Sequence, residues 1–192
     1  MSDLNVLFRK RIGFPEQEKL TFENLYELLV RTAEKIPFEN LCIMENRTRK
    51  LSNESVMDKV LLQNEGGLCY ELNHILYLFL KENGFDTTLV SGVVYNQMKQ
   101  EWSKTGKTHV AIVIQHKGKF FLVDTGFGGN LPLKPVPLSG ETVSSANGDF
   151  RVEPVKNEHG DYLLHMKLKH KDQDWKIGYV FDSMDHVRVL RS

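Results

Sequence analysis

The sequence changes its hydrophobic rhythm once, at Asn83-Gly84, and that single change limits the folds open to it. Ahead of it, apolar residues recur at helical spacing. Leu4, Leu7, Phe8 and Ile12 mark a first helix over residues 2–12. After Thr21, the stretch FENLYELLVRTAEKI sets Leu25, Leu28, Leu29 and Ala33 on one helical face. Pro37 ends that run, because the residue before a proline resists the helical region. A short helix is predicted over 53–63, with Ser55 as its cap, and a longer one from Cys69 to Glu82, closed by Asn83-Gly84. Beyond Gly84, the stretches TTLVSGVVY, HVAIVIQ, KFFLVDT, DYLLHMKLKH and WKIGYVF are rich in β-branched and aromatic residues and read as strands, with HKGK as a hairpin turn. LPLKPVPLSG, residues 131–140, reads as a Pro-rich loop. Helices segregated from strands predict an α+β fold: a helical bundle over 1–84, then an antiparallel β-barrel-like domain over 85–192.

Charge and cysteine usage narrow the function classes. Basic and acidic side chains balance at 25 each, which leaves no electrostatic footprint for nucleic acid or an anionic membrane. The start, MSDLNVLFRKRIGF, lacks the apolar core of a signal peptide, and no run is long enough to span a bilayer. The two cysteines, Cys42 and Cys69, form neither a CxxC pair nor a disulfide framework, so a reducing, cytoplasmic setting is expected. No close Cys/His ligand pair exists, and no metal is expected. The oligomeric state is left open.

A cysteine in an apolar stretch is commonly a small buried core residue, and Cys42 in ENLCIMEN fits that role. Cys69 does not. It opens a helix, where unpaired N–H groups and the helix dipole favour a thiolate. Gly66 and Gly67 ahead of it are read as clearing a path for a substrate carbonyl, with the Cys69 N–H as an oxyanion donor. A nucleophile needs a base and a group that orients the base. His109 opens one apolar strand and Asp124 ends the next. A turn centred near 117 sets 109 roughly opposite 125, which brings both side chains to the same end of neighbouring strands. Alone, each is more simply a strand-end histidine and a turn aspartate; together with Cys69 they form a cysteine-protease-like Cys-His-Asp set. His74, His116, His159, His165, His170 and His186 are read as structural or solvent-exposed.

Five segments in order resemble the arylamine N-acetyltransferase family: FRKRIGF with Arg11, IPFENL, EGGLCYELN, KTGKTHVAIVI and FLVDTGFG. The resemblance implies a two-step transfer. Cys69 takes the acetyl group from acetyl-coenzyme A as co-substrate, and an aromatic amine or hydrazine then takes it from the cysteine. His109 would act as base and Asp124 as its orienting partner. Phe38, Val94 and Phe127 match positions that line the family's acceptor pocket, and Thr105, Gly106 and Thr108 match positions that contact the acyl donor. Glu65 departs from the family's RGG arginine and is expected to oppose ionisation of Cys69. Thr32 stands where many members carry histidine. The sequence stops at HVRVLRS, so the family's third α/β lid domain is expected to be absent. Two other readings use the same residues: a transglutaminase-like cysteine hydrolase, and a truncated paralogue that binds a ligand or partner without turnover.

Overall fold

The computed structural model describes residues 2–186. Residue 1, residues 187–192 at the end of the expected β domain, and the side chains of Met184, Asp185 and His186 lie outside it. Helices α1 (Asp3–Ile12), α2 (Leu25–Lys35), α3 (Leu41–Met44), α4 (Asn53–Met57) and α5 (Cys69–Glu82) precede every strand. Ser2 caps α1 by accepting from the Asn5 N–H at 3.2 Å. The helix expected over 53–63 is two pieces, α4 and a π-helical turn, Asp58–Leu62. Its cap is Ser52 rather than Ser55. The two serines satisfy each other's backbone N–H, a reciprocal arrangement that a single-residue reading overlooks.

The chain turns into the sheet at Gly84, whose φ of 84° is left-handed. Strands β1 (Asp86–Asn96), β2 (Glu101–Trp102), β3 (His109–His116), β4 (Lys119–Val123), β5 (Val136–Pro137), β6 (Val143–Ser144), β7 (Gly148–Asn157), β8 (Gly160–Leu168) and β9 (Lys176–His186) form one antiparallel sheet. Its order is β5-β4-β3-β1-β9-β8-β7-β6, with β2 hydrogen-bonded to β1. The sheet curls almost into a barrel, and the Gly140 N–H reaches the Val152 carbonyl of β7 at 2.9 Å across the gap. Two findings differ from the sequence reading. The Pro-rich loop supplies β5, where Pro137 is tolerated at the sheet edge, and GDFRVEPVKN forms β7. The β3–β4 hairpin turns on Lys117-Gly118, both with positive φ (48° and 74°), which fits the right-handed strand twist.

Alternation along the strands sorts the core into two layers. Val110, Ile112 and Ile114 of β3, Leu89 of β1 and Val123 of β4 face the helices and join Phe8, Leu28, Leu76 and Phe79 in one cluster. Ala111 and Val113, with Val90, Leu122, Phe150, Tyr179 and Phe181, fill the barrel interior. The helices therefore pack on the outer face of β1, β3 and β4. β3 is buried on both faces, which is why its sequence reads as an unbroken apolar run.

Candidate active site

Cys69 is the first residue of α5, behind Leu68 as the N-cap. Its N–H is one of those a helix start leaves without an intrahelical partner. The half-buried thiol lies 3.5 Å from the Thr108 carbonyl, the residue before β3. His109 follows and shares strand parity with Ala111 and Val113, so its ring turns to the barrel side. The observed register sets His116 opposite Lys119 and Ile112 opposite Val123. Extending it places 109 opposite 126, one residue beyond the expected 125. Asp124, just past β4, still reaches the ring: His109 Nε2 lies 2.7 Å from Asp124 Oδ2. That commits Nε2 to the carboxylate and leaves Nδ1 for the sulfur.

The Asp124 side chain is fully buried and every one of its acceptor directions is used. Oδ2 also accepts from the Tyr179 hydroxyl at 2.9 Å. Oδ1 accepts from Asn73 Nδ2 and from the Gly126 N–H, each at 2.8 Å. Burial alone would raise the Asp124 pKa; the His109 charge and these donors outweigh it and hold the group below the usual carboxylate value. Burial alone would lower the His109 pKa. The Asp124 carboxylate, aided by the Cys69 sulfur, overcomes that and brings it to about 9. Burial and the neighbouring Asp124 push Tyr179 well above the ordinary phenol value, so it stays a donor.

A folded value of about 9 for His109 exceeds the ordinary value of about 6.5. Its contribution to stability is complete below about pH 6.5 and disappears as pH rises through about 9. The depressed Asp124 adds stability that is lost on acidification instead. Urea unfolding midpoints are expected to fall between about pH 7 and 9.5, and to fall less in His109→Gln. Parallel pH profiles for the two proteins would refute the ion pair.

Asn73 and Tyr179 were not singled out from the sequence. Asn73 sits one helical turn beyond Cys69 and is wholly buried. Besides Asp124 it donates to the Val110 carbonyl at 2.7 Å, and its Oδ1 accepts from the Thr125 N–H at 2.9 Å and the Thr125 hydroxyl at 3.1 Å. It therefore ties α5 to both strands.

A cleft of about 320 Å³ opens beside the sulfur, lined by Phe38, Cys69, Val94, Thr108, His109, Gly126, Phe127 and Gly128. The structure thus brings Phe38, Val94 and Phe127 to one cavity with Cys69 and His109. Thr105 and Gly106 are not among the lining residues; Thr105 Oγ1 lies 2.7 Å from Ser103 Oγ in the exposed loop ahead of β3.

Two readings near Cys69 need correction. The space beside Gly66 and Gly67 holds protein, not a substrate path. A Cβ on Gly66 would lie 2.1 Å from the Pro37 carbonyl oxygen, and one on Gly67 would lie 2.8 Å from Glu71 Oε2. The carboxylate of Glu65 is directed elsewhere than Cys69: the Cys42 thiol donates to it at 3.3 Å and Arg47 Nη1 lies 3.3 Å away. Cys42 is buried, as expected, and burial raises its pKa, with Glu65 adding. Thr32 is also buried, its hydroxyl donating to the Leu28 carbonyl at 2.7 Å. Arg11 spans from α1 to the Asn64 carbonyl, just ahead of this loop, at 3.2 Å.

A family model described as N-acetyltransferase matches residues 21–188. The chain belongs to the arylamine N-acetyltransferase family. The arylamine N-acetyltransferase NAT3 of Bacillus cereus superposes with a TM-score of 0.92 at 40% identity, over 98% of this chain and 72% of that one. That enzyme is described as having a unique Cys-His-Glu catalytic triad, whereas the carboxylate on His109 here is Asp124. The uncharacterized acetyltransferase YvcN of Bacillus subtilis is 39% identical over 94% of this chain and 69% of its own length. The probable arylamine N-acetyltransferase 3 of Dictyostelium discoideum is 33% identical over 95% of this chain and 64% of its own. Among the described residues, no helix is long and apolar enough to cross a membrane.

Proposed function

We propose that this chain N-acetylates arylamines or arylhydrazines with acetyl-coenzyme A, through an acetyl-cysteine on Cys69. The observation that carries the reading is one line of groups at the mouth of an apolar cleft: the Cys69 thiol, the His109 ring, and Asp124 held by four hydrogen bonds. In the first step Cys69, already ionised by proton transfer to His109 Nδ1, attacks the thioester carbonyl carbon with its sulfur. The Cys69 N–H at the start of α5 is placed to receive the developing oxyanion. The C–S bond to coenzyme A breaks, and the leaving thiolate recovers the proton from His109. In the second step the amine nitrogen attacks the acetyl-cysteine, gives its proton to His109, and the Cys69 thiol is restored. The scheme is ping-pong.

The flat side chains Phe38 and Phe127, with Val94, suit an aromatic acceptor selected by shape. Thr108, with Thr105 and Gly106 on the outer side of the same loop, is assigned to the acyl donor. The division at residue 84 belongs to this reading: residues 1–84 carry the nucleophile, and 85–192 carry its base and the orienting carboxylate. Two cysteines without a disulfide suit a cytoplasmic setting.

Intact-protein mass spectrometry tests the reading. Incubation with acetyl-coenzyme A is expected to add one acetyl group to Cys69, and an added aromatic amine should remove it. Cys69→Ala should gain none. A wild-type chain left unmodified, or one that cleaves peptides without acetyl transfer, would overturn the proposal.

A further inference from the structure

Lys59 is a buried cation outside the groups assigned above, on the π-helical turn between α4 and the cysteine loop. Its side chain is only 7% exposed. Its ammonium donates to both oxygens of Glu71, at 2.8 Å and 2.9 Å, and lies 4.0 Å from Glu39 Oε1. A buried charge of this kind persists only where it is paired, and two carboxylates converge on this one.

The Glu71 carboxylate acts on backbone next to the cleft, whereas Glu39 does so through its main chain, its carboxylate accepting from the Leu41 N–H at 2.5 Å. Glu71 Oε2 accepts from the Leu68 N–H at 2.9 Å, so it caps α5 at the residue before Cys69. Glu39 follows Phe38 in the segment that forms a bridge with Gly67: the Glu39 N–H donates to the Gly67 carbonyl at 3.0 Å, and the Gly67 N–H donates to the Pro37 carbonyl at 3.1 Å. Lys59 lies in the π-helical turn Asp58–Leu62, a rare element often found at functional sites. Burial works against the Lys59 charge, and Glu71 more than restores it, so the group stays an ammonium.

We infer that Lys59 is a positioning residue for acetyl transfer: its ammonium joins Glu71, which caps the start of the cysteine-bearing helix, to Glu39, which anchors the Phe38 wall, and so fixes the nucleophile and the acceptor wall relative to each other. The inference rests on the acetyl-transfer reading. Lys59 touches neither substrate nor the Cys69 sulfur in this scheme and acts through the two carboxylates.

The test separates the two half-reactions of Lys59→Met and Lys59→Arg, with rates referred to the amount of folded, titratable active site. Lys59→Met is expected to acetylate Cys69 from acetyl-coenzyme A about 10- to 100-fold more slowly, the penalty of a small misplacement of a reacting group. It should also raise the acceptor KM several-fold, because the Phe38 wall loosens, whereas a merely structural role would lower the active fraction and leave KM unchanged. Lys59→Arg keeps a charged donor and should stay within about threefold of wild type. A folded Lys59→Met with wild-type acetylation rate and KM would overturn the inference. Should Lys59→Met fail to fold, Lys59→Gln, which keeps an N–H donor, takes its place. Failure of both to fold would overturn it too, since Lys59 would then be a folding residue. The alkylation rate of Cys69 by iodoacetamide is read in parallel on every variant. If wild type takes no acetyl group the functional reading fails, while a slower alkylation in Lys59→Met would still support the placement of the sulfur by Lys59, and an unchanged one would refute it.

Discussion

Asp124→Asn is expected to slow acetylation of Cys69 by about 10⁴-fold while leaving the chain folded, the scale seen when the carboxylate partner of a catalytic histidine becomes an amide. The reason lies in donor and acceptor arithmetic. All four partners of Asp124 are donors: the His109 ring, the Tyr179 hydroxyl, the Asn73 amide and the Gly126 N–H. An asparagine must turn an NH₂ toward one pair of them. If it faces His109, the ring must place its proton on Nδ1 to accept at Nε2, and it can then no longer take the thiol proton. If it faces Asn73 and Gly126, two buried donors lose their acceptor. Rapid-quench mass spectrometry of the acetyl-enzyme measures the rate. Asp124→Glu keeps the charge, and the Bacillus cereus relative is described with glutamate in its triad; a loss of only about 10- to 100-fold is expected there. A loss below tenfold for Asp124→Asn would refute the tautomer argument.

The second large effect is expected at Gly126. A Cβ at this position would lie 2.5 Å from the Cys69 Cα and 2.8 Å from Asn73 Nδ2. Those are backbone and a fully bonded buried amide, and neither has room to move. Gly126→Ala must push the end of the β4 segment off the start of α5. A destabilisation of about 1–3 kcal/mol or more follows from overpacking, and about 100-fold in rate from separating His109 from the sulfur. Gly129→Ala provides the control, as a Cβ there meets nothing within 4 Å. Urea titration and the same acetylation measurement read both variants. Equal behaviour of the two alanines would show that the strand end is not seated on the helix start.

Much of this arrangement is legible in the sequence because it is local. The five quoted strands and the helix at Cys69 carry their periodicity within about ten residues each. The HKGK turn fixes which ends of β3 and β4 coincide, so the sequence alone puts His109 and Asp124 at one end of the pair. Asn73 was also readable, since four residues from Cys69 is one helical turn. β7 was harder, because its alternation rests on only two apolar residues, Phe150 and Val152, and Pro154 within the stretch argues against a strand. Tyr179 was not readable. It lies 55 residues from the carboxylate it serves, and only the pairing of β9 with β1 carries it there. The burial of Lys59 between Glu71 and Glu39 likewise depends on tertiary contacts that propensity does not encode.

The helices and strands share one layer of side chains, with Leu89, Val110, Ile112, Ile114 and Val123 locked among helical residues. Peeling the first part of the chain off the second would strip solvent protection from both at once. The Cys69 thiol and the His109 ring are therefore expected to be lost in one cooperative melting event, with no half-dismantled stage on heating that keeps one without the other.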